Sequence, residues 1–288
     1  MAHKTSAVAD EPIDVLFALQ PKFNLTDLAG PLEVLTTALH DSQDPTSKAF
    51  EVTIAAGEPK VLSEQGVMVG SQISWKEAHE RLDEFDVVVI IGGGTEDVLK
   101  QKTEPLDLIT AYSEIQKNDP TRERTLLSIC TGSLLLAQQG ILSGLSATTH
   151  PDFITKFEIL CSQAATRDLT ERTDVVEDAR YVVNNLRFDL GDEDENPYIR
   201  RKSDDRRPSN ARKGSMSLKG SGRRESIARR AAMRLGGLRV ITSGGVAAGM
   251  DAALYLVSVM VSEETAVEVA RVMQLTWTKG IVVDGLDV

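Results

Sequence analysis

With residues 190–236 set aside, short apolar runs alternate along the chain with segments whose apolar residues recur every three or four positions. The first pattern predicts buried strands and the second amphipathic helices. Ile13 to Leu19 (IDVLFAL) predicts a first buried strand, and Leu28 to Leu39 a helix opened by Asp27, with Pro31 near its first turn. Phe50 to Ala56 is a second strand, Val61 to Val69 a short hairpin and Trp75 to Leu82 a short helix. Phe85 to Ile91 (FDVVVII) is the clearest buried strand and runs straight into Gly92-Gly93-Gly94. Leu106 to Gln116 reads as a helix, Thr125 to Ile129 as a strand, and Thr131 to Gln139 as a helix closed by Gly140. Ala147 to Thr149 predicts a short strand and Phe153 to Cys161 a helix. Tyr181 to Val183 and Leu238 to Thr242 are strands able to pair with each other. Val246 to Val261 is a buried helix and Glu263 to Leu275 a final amphipathic one.

Near-continuous apolar strands separated by helices imply an α/β fold, with a mostly parallel sheet covered on both faces. In such folds chemistry sits beyond the C-terminal strand ends. Three turns fall at that edge: Asn24-Leu25-Thr26-Asp27, Gly92-Gly93-Gly94-Thr95 and Cys130-Thr131-Gly132-Ser133.

The third turn carries the most chemistry. A strand ends and a helix begins with almost no loop between, so Cys130 sits at a sharp elbow near a helix N-terminus. A free thiol titrates near 8.5, and such a terminus can bring it to roughly 3.5–7.5. The alternative is a buried structural cysteine. Cys161, mid-helix after Ile159 and Leu160, reads as core. Asp27 reads on its own as a helix N-cap, and Glu33 as an exposed helix-face residue. His150, before Pro151, either lines the pocket or caps the helix that follows. No set of Cys, His, Asp and Glu has metal-ligand spacing, so neither metal nor cofactor is expected. The triple glycine is no dinucleotide signature, since Glu96 and Asp97 would repel a phosphate.

Ser128-Ile129-Cys130-Thr131-Gly132-Ser133-Leu134-Leu135-Leu136-Ala137, then Gly140 to Gly144 and Ala147-Thr148-Thr149-His150, resembles the ThiJ/PfpI superfamily, the class I glutamine-amidotransferase-like group. Thr26 to Leu35 (TDLAGPLEVL), Ile91 to Gly94 and Thr242 to Asp251 (TSGGVAAGMD) match its other motifs in order. The resemblance covers 12–189 and 237–275. It implies a single-domain flavodoxin-like sandwich over 12–275, with 190–236 inserted and 1–11 and 276–288 as tails. The pattern is most similar to that of isonitrile (isocyanide) hydratases. It also resembles the sensor domains of AraC-type regulators, whose DNA-binding helices are not expected in the 13 residues after Leu275. Ammonia-producing amidotransferases pair their cysteine with a late His and Glu, and Val240 to Gln274 holds no His. The tail after Leu275 also departs from the proline-rich ending of the hydratases.

The resemblance implies Cys130 as nucleophile and Asp27 as acid/base, with Thr131 helping to hold Asp27. Gly93, Gly94 and His150 are the candidate substrate and oxyanion residues, with the Gly94 and Thr131 backbone amides able to stabilise developing negative charge. The implied reaction hydrates an isonitrile to an N-substituted formamide through a thioimidate. Two alternatives stand beside it. One is a glyoxalase- or deglycase-type activity, whose members usually place a Glu beside the cysteine. The other is a non-catalytic sensor or stress-response binding protein. The partner set is a small-molecule substrate and a second copy of the chain in a homodimer.

Charge modifies this picture in one region. The 288-residue chain has a net charge of −11, which argues against nucleic-acid binding. Yet Arg200 to Arg234 holds 13 Lys and Arg against 3 acids, leaving 19 basic and 40 acidic residues elsewhere. This Ser-, Gly- and Arg-rich segment buries too little apolar surface to offset its ordering entropy and predicts a disordered insertion. It contains Arg-Arg-x-Ser at Ser203, Ser209 and Ser226, a spacing that suits basophilic protein kinases. No apolar run is long enough for a membrane span, and the N-terminus lacks a secretory core. Two cysteines make no disulfide framework. A cytoplasmic location is expected.

Overall fold

The computed structural model describes residues 11–185, 199–200 and 233–284. Ser203, Ser209 and Ser226 and most of the basic segment lie outside the described residues.

In chain order the elements are β1 (Ile13–Leu19), α1 (Leu25–Thr37), β2 (Phe50–Ala56), the β3 (Lys60–Leu62) and β4 (Met68–Gly70) hairpin, β5 (Ile73–Ser74), α2 (Trp75–Glu80), β6 (Val87–Ile90), α3 (Thr95–Gln101) and α4 (Leu106–Asn118). Then come β7 (Thr125–Ser128), α5 (Gly132–Gln138), β8 (Ser146–Ala147), α6 (Ile154–Asp168), β9 (Asp174–Val175), β10 (Tyr181–Asn185) and β11 (Ile199–Arg200). The chain closes with β12 (Arg239–Ser243), α7 (Ala248–Met260), α8 (Glu263–Val272) and β13 (Ile281–Asp284).

Among the described residues nine strands form one sheet in the order β11-β13-β10-β12-β7-β6-β1-β2-β5. Every neighbouring pair is parallel except β10 and β12, where Tyr181 faces Ser243 and Asn184 faces Val240. The strands read as apolar runs because both faces are covered. Phe17, Val89 and Leu127 point to one face and pack with α1, α7 and α8. Leu16, Val88 and Leu126 point to the other and pack with α2, α4, α5 and α6. This is the mostly parallel, flavodoxin-like α/β arrangement expected from the sequence. Strand order turns back at β1, which has β2 on one side and β6 on the other, so a crevice opens at their C-terminal ends.

Three local features differ from the sequence reading. Helix α1 begins at Leu25, because Asn24 caps it by accepting from the Thr26 N–H at 3.1 Å; Asp27 is buried in the first turn and is not the cap. Helix α3 follows the glycines directly. And the segment after Leu275, expected to be a tail, returns to the sheet as β13. There it pairs with β10 and β11 and buries Val282 and Val283. Each such valine contributes roughly 1.5–3 kcal/mol, enough to hold a four-residue strand in place.

Candidate active site

Three chain segments meet at the C-terminal ends of β1, β6 and β7. From β7 the chain enters the elbow, where Cys130 has φ 57°. A non-glycine residue in the left-handed region costs of order 1–3 kcal/mol and persists where its surroundings over-determine it. Here the Cys130 N–H is shared between the Ser243 and Gly244 carbonyls, at 3.2 and 3.1 Å. The Cys130 carbonyl accepts from Ser133 Oγ at 3.0 Å and from Thr149 Oγ1 at 3.3 Å. Gly132 lets the elbow sit flat on β6, since a Cβ there would lie 2.5 Å from the Ile90 carbonyl oxygen.

From α1 comes Asp27, fully buried. Its carboxyl lies over Gly92, where a Cβ would meet Asp27 Oδ2 at 2.6 Å and Cys130 Cβ at 2.9 Å. Any side chain at position 92 would therefore fill the space between the two groups. The Cys130 thiol and the Gly92 N–H face the carboxyl and hold its pKa down, but burial outweighs them and pushes it up to about 6. Neither carboxyl oxygen closes a hydrogen bond of full geometry among the described residues.

The thiol itself is pushed up to about 12, first by burial and then by the Asp27 charge; the Thr131 and Val246 N–H groups oppose this. The thiolate-stabilising helix terminus expected from the sequence is thus outweighed. The resting pair is a thiol beside a carboxyl, and the carboxylate charge opposes ionisation of the sulfur. Cys161 is buried in α6, as its pattern suggested, and is likewise pushed up, to about 11.

The remaining candidates fall around this pair. Thr131 makes no hydrogen bond to the Asp27 carboxyl. Its Oγ1 accepts the Gly93 N–H at 3.0 Å, which braces the glycine turn and removes that amide from the anion-binding role expected of Gly93. Gln20 Nε2 donates to the Ile91 and Gly93 carbonyls, at 2.8 and 2.7 Å, and fixes the same turn from β1. Gly94 packs against Pro21 and Lys22. The amides that face the sulfur belong to Thr131 and Val246. Val246 was not among the site residues expected from the sequence, because a backbone donor leaves no side-chain signature. His150 caps the 3-10 turn Pro151–Phe153, its Nδ1 accepting from the Asp152 N–H at 3.2 Å. Its ring lies on Gly245, one residue from Val246. Glu33 is exposed. Among the described residues no group of three or more His, Cys, Asp or Glu is placed to hold a metal ion, and no helix is long and apolar enough to cross a membrane.

A flavodoxin-like sheet with an elbow cysteine beside a buried carboxyl at a strand end defines a class of α/β proteins. Within that class, residues 14–185 match the DJ-1/PfpI family, and the chain belongs to it. Isonitrile hydratase from Pseudomonas putida is 28% identical over 138 residues, 48% of this chain and 52% of that protein. The match therefore spans about half the length of that relative. The Drosophila melanogaster DJ-1beta crystal structure aligns with a TM-score of 0.53 at 17% identity, over 93% of this chain and 100% of that one. An AraC family transcriptional regulator from Pseudomonas putida aligns at 0.55 and 14%, over 91% and 100%. These two likenesses concern the fold alone.

Proposed function

We propose that the chain is a cysteine-dependent enzyme that hydrates a small isonitrile to an N-substituted formamide. One observation carries the reading: a buried carboxyl with no committed hydrogen bond lies beside the elbow thiol. Such a carboxyl is free to accept and return protons during a reaction. As Sγ bonds to the terminal isonitrile carbon, Asp27 takes the thiol proton and delivers it to that carbon, giving a thioimidate. Water then adds to the C=N bond. Asp27 takes a water proton and passes one to nitrogen. The C–S bond breaks, the thiol is restored and the formamide leaves, for a net addition of one water. The Thr131 and Val246 amides stabilise sulfur while it carries charge.

The nearby carboxyl belongs to an Asp, and the α1 glutamate, Glu33, points to solvent, which favours this reading over the glyoxalase- or deglycase-type alternative. The raised thiol favours a second reading, a binding protein of the same fold with an inert cysteine. Formamide production from a simple alkyl isonitrile separates them: the hydratase makes it and Cys130→Ala does not. Wild-type protein that makes none, with Cys130 no more reactive towards the isonitrile than Cys161, leaves the binding protein. The proposal includes a cytoplasmic homodimer, as family members commonly form homodimers; sedimentation at the mass of one chain would remove the dimer.

A further inference from the structure

The residue that carries the sulfur and one whose amide faces it both hold backbone conformations that side chains rarely adopt. Cys130 has φ 57° and Val246 φ 39°. A β-branched residue in this region is an outlier that only a rigid setting maintains. At Val246 the result is an N–H that faces the Cys130 sulfur.

The setting is visible. Gly244, two residues before Val246, donates its N–H to the Arg180 carbonyl at 2.9 Å. The Arg180 guanidinium crosses to Asp251 in the first turn of α7, with Nε and Nη2 at 2.6 and 2.5 Å from Oδ2. The Val246 carbonyl accepts from Gly249, in the same turn, at 3.2 Å. Asp251 is buried, and its other oxygen accepts the Thr278 N–H at 2.9 Å. Its carbonyl accepts from Trp277 Nε1 at 3.1 Å. One carboxylate therefore ties together the residue before β10, the start of α7 and the segment leading to β13. The turn carrying Val246 lies inside this frame.

We propose that Asp251 is a positioning residue of the cysteine site: through Arg180 and the Trp277-Thr278 segment it fixes the Ser243–Ala247 turn so that the Val246 amide stays aimed at the Cys130 sulfur. The role rests on the reading of Cys130 as the reacting atom. Among the described residues the ionisable group facing the sulfur is Asp27, from α1; His150 lies on Gly245, next to Val246; Arg180 and Asp251 act through the backbone. The amide supplies part of what offsets burial of a sulfur anion, so its loss makes the thiol harder to ionise.

The test is the rate of Cys130 alkylation by iodoacetamide across pH, read by peptide mass spectrometry on the full chain, with Cys161 as internal control. In Asp251→Asn the Cys130 profile moves up by about one pH unit, a roughly tenfold slower reaction at fixed pH, while the Cys161 profile and the cooperative melt are kept. An unchanged Cys130 profile, or one that moves down, overturns the proposal. Where Asp251→Asn does not fold, Arg180→Gln, at a half-exposed residue, carries the same expectation and the same overturning result. Isonitrile turnover is scored separately. A wild-type chain that converts no isonitrile but shows the shift loses the hydratase reading and keeps this one; turnover without the shift does the reverse.

Discussion

The Cys130 thiol faces the Asp27 carboxyl, and the negative charge of that carboxyl makes the thiol proton harder to lose. The pair is thus self-restraining at rest, and in the proposed hydration the proton moves as the electrophile takes up the sulfur's electrons. Replacing Asp27 by Asn separates the two effects. Hydration should fall by about 10²–10⁴-fold, the usual loss on removing a general acid/base. Cys130 alkylation at pH 8–9 should rise, because the repelling charge is gone. Slower alkylation in Asp27→Asn would show that the carboxylate activates the sulfur at rest.

Asp27 also makes stability depend on pH. Its folded pKa of about 6 lies above the value near 3.9 of an unfolded aspartate, so between these pH values the folded chain binds more protons. Stability therefore falls as pH rises from about 4 through 6, and the penalty is fully present above that window. The loss is on the order of 3 kcal/mol. Asp27→Asn should flatten the melting temperature against pH across this range and raise it at pH 7–8. A wild-type profile that climbs from pH 4 to 7 by this group's contribution, seen as a wild-type minus mutant difference, would contradict the assignment.

Gly92→Ala places a methyl 2.6 Å from Asp27 Oδ2 and 2.9 Å from Cys130 Cβ. The carboxyl or the elbow must shift, at about 1–3 kcal/mol for overpacking. Turnover should drop by at least tenfold. Full activity in Gly92→Ala would mean that Asp27 and Cys130 need not be adjacent.

A chain ending at Leu275 loses Val282 and Val283 from the sheet and both bonds from Trp277 and Thr278 to Asp251. Its melting temperature should fall by on the order of 10 °C. An unchanged melt would mean that β13 contributes nothing to the fold.

Much of this was written in the apolar pattern. β1, β2, β6 and β7 were legible because a strand buried on both faces has no polar face to interrupt it. The elbow was legible because β7 passes into α5 with almost no loop. The start of α1 was not, since Asn24 and Asp27 are both good caps and only packing shows that the second is buried. Helix α3 has a single buried apolar residue, Val98, too few for periodicity to show. β13 is four residues long and pairs with β10, about a hundred residues earlier, so no local signal marks it. The Thr131 amide was expected from the elbow, but the role of Val246 was not, since it depends on a backbone amide, which every residue but proline has.

The single antiparallel pairing in the main sheet has a directional effect. β12 arrives at the cysteine edge with Ser243 and starts at the opposite edge with Arg239; β10 runs the other way and finishes beside that start. The end of β10 and the start of β12 therefore lie about 13 Å, four strand residues, from the edge that carries Cys130. The two described junctions, after Asn185 and before Arg239, thus stand at the edge of the sheet opposite the one that carries Cys130.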